Sequence, residues 1–336
     1  MANVFRMLLF FPFAFIYGAI VWVRNRLFDL GFLNQTSFPF PTIAIGNLEM
    51  GGSGKTPMSD FLISNFSEKY KIAYLSRGYK RNSTGFVLAT ENSSIEDLGD
   101  EAYMIAKKWL GTIVLAVDSD RVNGIKKIKD LYPEINLILL DDSMQHRWVK
   151  PKICIQLSPY HLPFFKNSIF PIGTLRDLKK ESSRADLIIF TKCKYANEEL
   201  LDKITREMKS KGYQNDEIFV SSISYKVPVN QFNNELKTKT NVIAIAGLAD
   251  NKPFFEKVNS EFSVEKVISK PDHYRYLPDF FEKENLAGKT ILCTEKDFYK
   301  ILAIAPKPEL IYYQPIGIQI FPEKKLLSFL ETSINS

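Results

Sequence analysis

A glycine-rich loop between an apolar run and a helical pattern constrains the fold of this chain more than any other feature. Residues 43–57 read IAIGNLEMGGSGKTP. In such a loop, backbone N–H groups and a helix N-terminus can surround phosphate oxygens, while Lys55 reaches the β- and γ-phosphates and the Thr56 hydroxyl can bind Mg²⁺. Glu49 stands where the usual pattern has its first glycine, and two later glycines compensate in part. The segment predicts a nucleoside triphosphate site, with a chance sequence in a glycine-rich turn as the alternative.

Apolar runs and helical patterns alternate along the chain beyond residue 40. Candidate strands lie at residues 42–45, 71–75, 112–117, 136–140, 153–157 and 186–190, and candidate helices at 58–66 and 102–110. This order predicts an α/β fold, a P-loop NTPase-like parallel sheet flanked by helices. Functional loops are then expected after the carboxyl ends of the strands.

The length of 336 residues favours more than one domain. A second, smaller α/β domain is expected from the apolar runs 241–246 and 289–293, with the β-rich stretches 217–225 and 310–320 as connections. We predict an N-terminal membrane-associated helix at 1–30, a P-loop core at 31–220, the smaller domain at 226–310 and a segment returning to the core at 311–336.

Composition narrows the class of protein. With 45% hydrophobic and 24% charged residues the chain is an ordinary globular protein. The three cysteines are far apart without a CxxC pair, which argues against a disulfide framework or a cysteine zinc site and favours a reducing compartment. A net charge of +6 is too diffuse for a dedicated nucleic-acid binder, but it suits an anionic membrane or a phosphorylated substrate.

The N-terminus carries an uncharged segment, residues 7–23 (MLLFFPFAFIYGAIVWV), with arginines on both sides. Its length is at the short end for a bilayer span, and Pro12 and Gly18 weaken a straight spanning helix. A small-residue cleavage site is missing, so a signal peptide is disfavoured. We expect an interfacial or partly inserted anchor, with a single span or a buried core helix as the alternatives.

A pair of acids follows the apolar run at 136–140. Asp141 and Asp142 form a Walker B pattern that could hold the metal of a nucleotide site, although Asp is also common in turns. Gln145 and His146 follow closely and could face the same phosphates. An ordinary, partly buried histidine is the alternative for His146.

Cationic side chains follow other strands and loops. Arg77 and Tyr79 lie in the SRGYKR segment after a strand, and Arg121 and Arg176 add further guanidinium groups. A planar guanidinium binds two phosphate oxygens at once, so these residues are candidate phosphate ligands. Surface arginines in loops are the alternative reading.

Two further motifs carry acid and histidine side chains. Asp100 and Glu101 open a helix, where Asp100 could be the N-cap, or where the two acids could act on the metal and the nucleophile. His273, one of only three histidines, lies beside aromatics in the predicted smaller domain, as in a hinged active-site wall.

Together the motifs resemble those of the tetraacyldisaccharide 4′-kinases, the lipid A 4′-kinase family, from the hydrophobic N-terminus to about residue 320. The motifs are the phosphate loop at 46–57, SRGY at 76–79, GDE at 99–101, DD and QH within 141–146, GTLR at 173–176, DH at 272–273 and TEKD at 294–297. The family's loop also lacks the first Walker glycine. Ser143 and Met144 depart from the family's usual Gly-Phe.

The resemblance implies transfer of the ATP γ-phosphoryl group to the 4′-hydroxyl of a tetra-acylated glucosamine disaccharide 1-phosphate, which gives lipid IVA. It implies ATP and Mg²⁺ as cofactors and the cytoplasmic face of the bacterial inner membrane as the location, peripheral or monotopic. The partners expected are the acylated substrate and the membrane surface, without nucleic acid or an obligate protein partner. Asp100 polarised by His273 would be the base, and Lys55 would stabilise the transferring charge.

The remaining residue assignments follow from the same motifs. The expected nucleotide ligands are Asn47, Met50, Gly51, Gly52, Ser53, Gly54, Lys55 and Thr56. The expected metal ligands are Thr56, Glu101, Asp141 and Asp142. The expected substrate ligands are Arg77, Tyr79, Arg121, Gln145, His146 and Arg176.

A membrane-associated NTPase switch or a metallochaperone-type NTPase is the competing class. The ATPase branch of that class carries a signature lysine where this chain has Met50, and a metallochaperone would need a Cys/His cluster that the sequence lacks.

Overall fold

The computed structural model describes residues 2–336, with side chains from residue 9 onward, and contains two units. The first unit comprises the residues before Ser224 and after Gly317, and the second is Ser224–Gly317. The chain therefore leaves the first unit once, builds the second, and returns.

The first unit is built on a nine-stranded sheet. Its strands are β1 (Thr42–Asn47), β2 (Ile72–Ser76), β3 (Val87–Leu88), β4 (Val114–Val117), β5 (Leu137–Asp141), β6 (Ile153–Pro159), β7 (Leu187–Cys193), β8 (Ile218–Tyr225) and β14 (Ile316–Phe321), in the spatial order β14-β8-β7-β6-β1-β5-β2-β4-β3. Its helices are α1 (Ala2–Asp29), α2 (Lys55–Phe66), α3 (Ile95–Leu98), α4 (Asp100–Trp109), α5 (Arg121–Leu131), α6 (Glu198–Ser210) and α10 (Glu323–Asn335), with a 3₁₀ turn at Lys179–Arg184.

The register of this sheet determines where the site forms. Strand β1 is buried along its whole length and pairs in parallel with β5 and β6, with Ile45 opposite Asp141 and Asn47 opposite Leu157. Hydrophobic clusters cover both faces of the sheet, as expected for central parallel strands. The phosphate loop after β1 and the paired aspartates at the end of β5 therefore emerge side by side. The predicted α/β class with a parallel P-loop sheet is confirmed.

The second unit has a five-stranded sheet of its own. Its strands are β9 (Val229–Asn230), β10 (Asn241–Ala246), β11 (Ser263–Ser269), β12 (Ile291–Thr294) and β13 (Ile311–Gln314), in the order β11-β10-β12-β13-β9. Its helices are α7 (Lys252–Glu261), α8 (Phe280–Lys283) and α9 (Glu295–Leu302), with a 3₁₀ turn at Pro308–Leu310. The parallel strands β10 and β12 carry the core, which aromatic side chains of α8 and α9 complete.

Helix α1 has one packed stripe and a wide exposed apolar surface. Ala14, Asn25 and Phe28 are buried, and their separations of eleven and three residues place them on one helix face. Large apolar side chains cover the rest of the helix and are exposed, among them Phe13, Phe15, Ile16, Ile20 and Trp22. Among residues 9–336, whose side chains the structure describes, no helix is both long and apolar enough to cross a bilayer.

Candidate functional site

The phosphate loop joins β1 to α2 at the edge formed by the carboxyl ends of the strands. Gly54 precedes α2 with a φ of 90°, a left-handed conformation that glycine adopts without strain. Lys55 and Thr56 are the first two residues of α2, so both sit at the end of the helix where backbone N–H groups lack intrahelical partners. The Thr191 hydroxyl at the end of β7 donates a hydrogen bond of 2.8 Å to the Ser53 carbonyl and braces the loop.

Asn47, the last residue of β1, connects the loop to its surroundings. Its side-chain Nδ2 donates to the Glu49 carbonyl at 2.6 Å, and its Oδ1 accepts from Lys55 Nζ at 3.2 Å and from Arg176 Nη2 at 2.8 Å. Its backbone carbonyl accepts from Gln145 Nε2 at 2.8 Å. Through its side chain and its backbone carbonyl, Asn47 therefore connects Glu49, Lys55, Arg176 and Gln145.

Asp142 is the acid that binds the cations of the site. Arg176 Nη1 donates to its Oδ2 at 2.9 Å, Arg176 Nη2 donates to its Oδ1, and Lys55 Nζ lies 3.4 Å from Oδ1. Partial burial alone would raise the pKa of this carboxyl, but the hydrogen bond from Arg176 and the charges of Lys55 and Arg176 hold the pKa well below its usual range. Asp142 is therefore ionised at any physiological pH.

Asp141 lies deeper. Ser76 Oγ donates to its Oδ2 at 3.3 Å, whereas its buried Oδ1 accepts no hydrogen bond from any residue that the structure describes. Burial, followed by the charge of Glu101, raises its pKa to about 6. A buried carboxylate oxygen without a protein donor, close to a second acid, is the environment that a bound cation stabilises.

The donor set suits Mg²⁺, which prefers oxygen ligands and retains several waters. Across residues 2–336, no three His, Cys, Asp or Glu side chains are grouped closely enough to hold a metal by themselves. That is compatible with a site in which the protein supplies one or two oxygens and the nucleotide phosphates supply others. Thr56, Asp141 and Asp142 fit such a role.

Asp100 and Glu101 open α4, but Asp100 is not the N-cap. The N-cap is Gly99, with a φ of 81°, and no side chain caps the helix. A Cβ at Gly99 would lie 2.5 Å from the Tyr79 carbonyl oxygen, so only glycine allows the helix start to pack against the turn after β2. The N-cap alternative for Asp100 is wrong, and the packing brings the acidic pair beside the turn that carries Arg77 and Tyr79.

Arg77 and Tyr79 line an open cavity of about 370 Å³, together with Lys80, Arg81 and Ser119. Both side chains are exposed. Arg121 is placed differently, with only 1% of its surface exposed. Its Nη1 donates to the Asp118 carbonyl at 2.7 Å and its Nη2 to the Asp141 carbonyl at 3.0 Å. This cation therefore stabilises the backbone that carries the paired aspartates.

His146 is half-buried beside the Trp148 ring, at 5.4 Å between ring centroids. Burial and the charge of Arg121 lower its pKa to about 4, so the imidazole is neutral at physiological pH. Met144, in the same turn, is buried against Gly46, where a Cβ would lie 2.5 Å from the Met144 Cβ. Glycine in β1 therefore makes room for the Ser143-Met144 turn.

Sequence reasoning missed the part that α1 plays in the site. Tyr17 Oη donates to the Arg176 carbonyl at 3.0 Å, Asn25 Nδ2 to Asp177 Oδ1 at 2.8 Å, and Arg24 Nη2 to the Gln145 carbonyl at 2.6 Å. The uncharged segment favoured a membrane anchor, with a single span or a buried core helix as the alternatives, and gave no indication of a contact with the site. Tyr17 and Asn25 could have revealed these contacts, because they are polar residues at the spacing of the buried stripe.

A separate cluster lies in the second unit. His273 has a φ of 59° in the turn before α8, and Lys296 is in the first turn of α9. Lys296 Nζ donates to Asp272 Oδ1 at 2.8 Å and lies 3.3 Å from His273 Nε2. Burial alone would raise the pKa of Asp272, but the hydrogen bond and charge of Lys296 lower it.

Comparisons with known proteins agree with this geometry. The profile of the family described as Tetraacyldisaccharide-1-P 4'-kinase matches residues 6–335. The tetraacyldisaccharide 4'-kinase of Flavobacterium psychrophilum is 38% identical over 335 residues, covering 96% of both chains. That of Flavobacterium johnsoniae is 40% identical over 322 residues, covering 94% of this chain and 92% of its own.

A solved structure extends the comparison to the fold. The LpxK of Aquifex aeolicus, crystallised in complex with ATP, superposes with a TM-score of 0.78 at 28% identity, covering 99% of this chain and all of its own. A nearly full-length profile match, relatives above 30% identity and a shared fold lead to one conclusion. The chain belongs to the tetraacyldisaccharide-1-phosphate 4′-kinase family.

Proposed function

We propose that this chain transfers the γ-phosphoryl group of ATP to the 4′-hydroxyl of tetraacyldisaccharide 1-phosphate, which makes lipid IVA for lipid A biosynthesis. The observation that carries the proposal is the Asn47, Lys55, Asp142 and Arg176 network at the phosphate loop, in a chain that belongs to this kinase family. The network places two cations and a partly buried acid at one end of a helix, the arrangement that phosphoryl transfer requires.

The phosphate loop binds the nucleotide in this proposal. Asn47, Met50, Gly51, Gly52, Ser53, Gly54, Lys55 and Thr56 surround the phosphates. Lys55, now 3.4 Å from Asp142, lies where it can donate to the charge that grows during transfer. Asp142 keeps the ammonium pointed into the site, because its own charge persists at all physiological pH values.

Thr56, Glu101, Asp141 and Asp142 hold Mg²⁺, directly or through water. When bound, the ion neutralises charge on the β- and γ-phosphates. Arg121 donates to the Asp141 carbonyl and so fixes the backbone from which both aspartates project. Its buried charge also favours their ionised forms.

The acceptor hydroxyl must lose its proton during attack, and Asp100 is the proposed base, with His273 as its partner. Asp100 is the first residue of α4, where the positive end of the helix dipole favours the carboxylate. His273 belongs to the second unit and comes into this role through the family motif that it occupies. Positioning of the carboxylate then contributes more than its intrinsic basicity.

Substrate recognition uses cations and polar groups around the same edge. Arg77 and Tyr79, exposed beside the start of α4, and Gln145, His146 and Arg176 form this set, whereas the buried Arg121 does not belong to it. Of these, Arg77 is open to a phosphate of the substrate, whereas Arg176 is already bound to Asp142. The neutral His146 serves as a hydrogen-bonding and packing group rather than as a cation.

The exposed apolar face of α1 associates with the cytoplasmic surface of the inner membrane in this proposal, where an acylated substrate resides. Phe13, Phe15, Ile16 and Ile20 are each more than half exposed, and Arg24 and Arg26 follow on the same helix. Apolar side chains with adjacent cations are the composition of helices that lie in an anionic interface. The helix would then present the acyl chains to loops that it already contacts.

The direct test measures γ-phosphoryl transfer from radiolabelled ATP to the purified lipid disaccharide, beside hydrolysis without acceptor. We expect a phosphorylated lipid whose formation depends on both substrates and on Mg²⁺. Lys55→Met should lower turnover by about 10²-fold or more, the usual loss when a preorganised electrostatic group is removed. Hydrolysis with no lipid product would instead support a nucleotide switch.

A further inference from the structure

Two segments of the second unit form the surroundings of His273, the start of α9 and the turn that carries His273 itself. Lys296 is held in the first turn of α9, where Thr294 Oγ1 accepts from the Asp297 N–H at 3.2 Å and donates to Asp297 Oδ2 at 2.6 Å. Asp297 is fully buried and also accepts from the Gly247 N–H at 2.7 Å. The helix start that carries Lys296 is therefore tied to the end of β10.

The opposite side is the turn that carries His273. Asp272 Oδ1 accepts from the His273 backbone N–H at 2.9 Å and from Lys296 Nζ at 2.8 Å. Asp272 Oδ2 lies 3.7 Å from His273 Nε2. Lys300, one turn further along α9, points elsewhere, with its Nζ 3.4 Å from the Tyr274 carbonyl oxygen. Lys296 is thus the lysine of α9 directed at the imidazole.

Lys296 Nζ and His273 Nε2 lie 3.3 Å apart, and the chemistry of the two groups determines which of them donates the hydrogen bond. An ammonium group donates hydrogen bonds and cannot accept them, so Nε2 must offer its lone pair. An imidazole that accepts at Nε2 carries its hydrogen on Nδ1. A proton on Nε2 would point at the ammonium group of Lys296.

We propose that Lys296 is a positioning residue that holds His273 as the neutral imidazole with its hydrogen on Nδ1. The inference rests on the proposed role of His273 as partner of the base Asp100. A neutral ring can donate its Nδ1–H to a carboxylate and orient it. An imidazolium in the same place would add a full positive charge, which lowers the basicity of the carboxylate that must accept the hydroxyl proton.

The ring of His273 can be observed directly. The chain contains three histidines, so ¹³C- and ¹⁵N-labelled histidine in the full-length protein gives few ring signals, and His273→Gln assigns the one of interest. We expect the ring carbon and nitrogen shifts of the Nδ1–H tautomer at pH 8. The Nε2–H tautomer in the unmodified protein would overturn the proposal, whatever the variants do.

Lys296→Met tests the cause, since it keeps an unbranched side chain and removes the donor. We expect the His273 signals to move toward the Nε2–H tautomer and kcat to fall about tenfold or more, with the KM for ATP changed less than twofold. Lys296→Arg keeps a cationic donor and should retain the Nδ1–H signature. Lys289→Met is the matched control, because Lys289 pairs with Glu265 at the surface of the same unit.

Unchanged ring signals in Lys296→Met, or changed signals with unchanged kcat, would contradict the proposal. If Lys296→Met does not fold, Asp272→Asn removes the carboxylate that orients the ammonium and should shift the ring signals in the same direction by less. The ring measurement needs no substrate. A protein that shows the Nδ1–H tautomer but makes no phosphorylated lipid would therefore refute the proposed function and leave the Lys296 contact established.

Discussion

Glu49 is a buried carboxyl at the start of the phosphate loop. Its Oε1 accepts from Ser158 Oγ at 2.7 Å, and its Oε2 is buried without a hydrogen-bond partner among the described residues. Ser158 in turn accepts from the Phe164 N–H at 2.9 Å, so the carboxyl links the loop to the segment after β6. Burial, opposed by the hydrogen bond from Ser158, raises the pKa of Glu49 to about 7.

Glu49→Gln should change the pH dependence of stability. With its pKa raised from 4.5 to about 7, the native carboxyl binds more protons than the unfolded one between these values, so wild-type stability falls as pH rises through that window. A glutamine does not titrate. Between pH 5 and pH 8, the difference in unfolding free energy should therefore move in favour of the variant, by up to about 3 kcal/mol.

Urea unfolding of the nucleotide-free protein at both pH values measures this difference. Because only the change between pH 5 and pH 8 is compared, any constant cost of placing an amide in the pocket cancels. Glu91→Gln, at an exposed position, is the control and should show no comparable change. Parallel pH profiles for wild type and Glu49→Gln would mean that the carboxyl is not buried as described.

Single residues also show how far the site could be predicted. Lys55, Thr56, Asp141 and Asp142 were recognisable because strand, loop and helix chemistry is local and directional. The partner of Arg176 was not, since Asp142 is 34 residues away in sequence and only the sheet brings them together. The contacts of Arg121 were not predictable either. Its guanidinium group suggested a phosphate ligand, but the residue is buried behind the aspartates. Tertiary partners decide what a cation does.

Most strands were predictable to within two or three residues because each is a short apolar run between polar turns. Strand β3 has only two residues, Val87 and Leu88, and no pattern of that length separates a strand from a loop. Helix α10 was expected only as a returning segment. Its buried Leu326, Leu330 and Ile334 recur at helical spacing and could have revealed it.

The contacts of helix α1 with the site loops and its proposed membrane binding can be separated by substitution. Deleting it would remove the Tyr17 and Asn25 contacts to the site loops as well as the exposed apolar face. We therefore expect the double variant Phe13→Ser/Ile20→Ser, both residues 62% exposed, to lower membrane affinity alone. Full burial of one apolar side chain contributes about 1.5–3 kcal/mol, so even partial insertion of both side chains should make the loss of partitioning onto vesicles at least about tenfold.

Co-sedimentation with anionic phospholipid vesicles measures this partitioning, and KM for substrate in vesicles should rise with ATP affinity unchanged. Leu131→Ser is the matched control, because Leu131 on α5 is also an exposed apolar residue, at 58%. Unaltered co-sedimentation of the double variant would assign membrane binding to another surface.

The second unit is an insertion between β8 and β14, two neighbouring strands of the large sheet. Asp100 therefore lies in the first unit, and His273 lies in the inserted second unit. If the two residues form one catalytic pair, chemistry requires both units, and water is less able to accept the phosphoryl group before the acceptor hydroxyl is in place.

Asp100→Ala and His273→Ala should then each lower kcat by about 10²-fold or more, with little change in ATP affinity, because general base catalysis contributes about that much. The double variant should be barely worse than either single one, since members of a catalytic unit are strongly non-additive. Single-turnover kinetics at saturating ATP, with nucleotide affinity measured separately, test this. Multiplicative losses would mean that the two residues act independently, and a large ATP-binding defect in Asp100→Ala would place this carboxylate on the metal, with the base to be found among the other acids of the site.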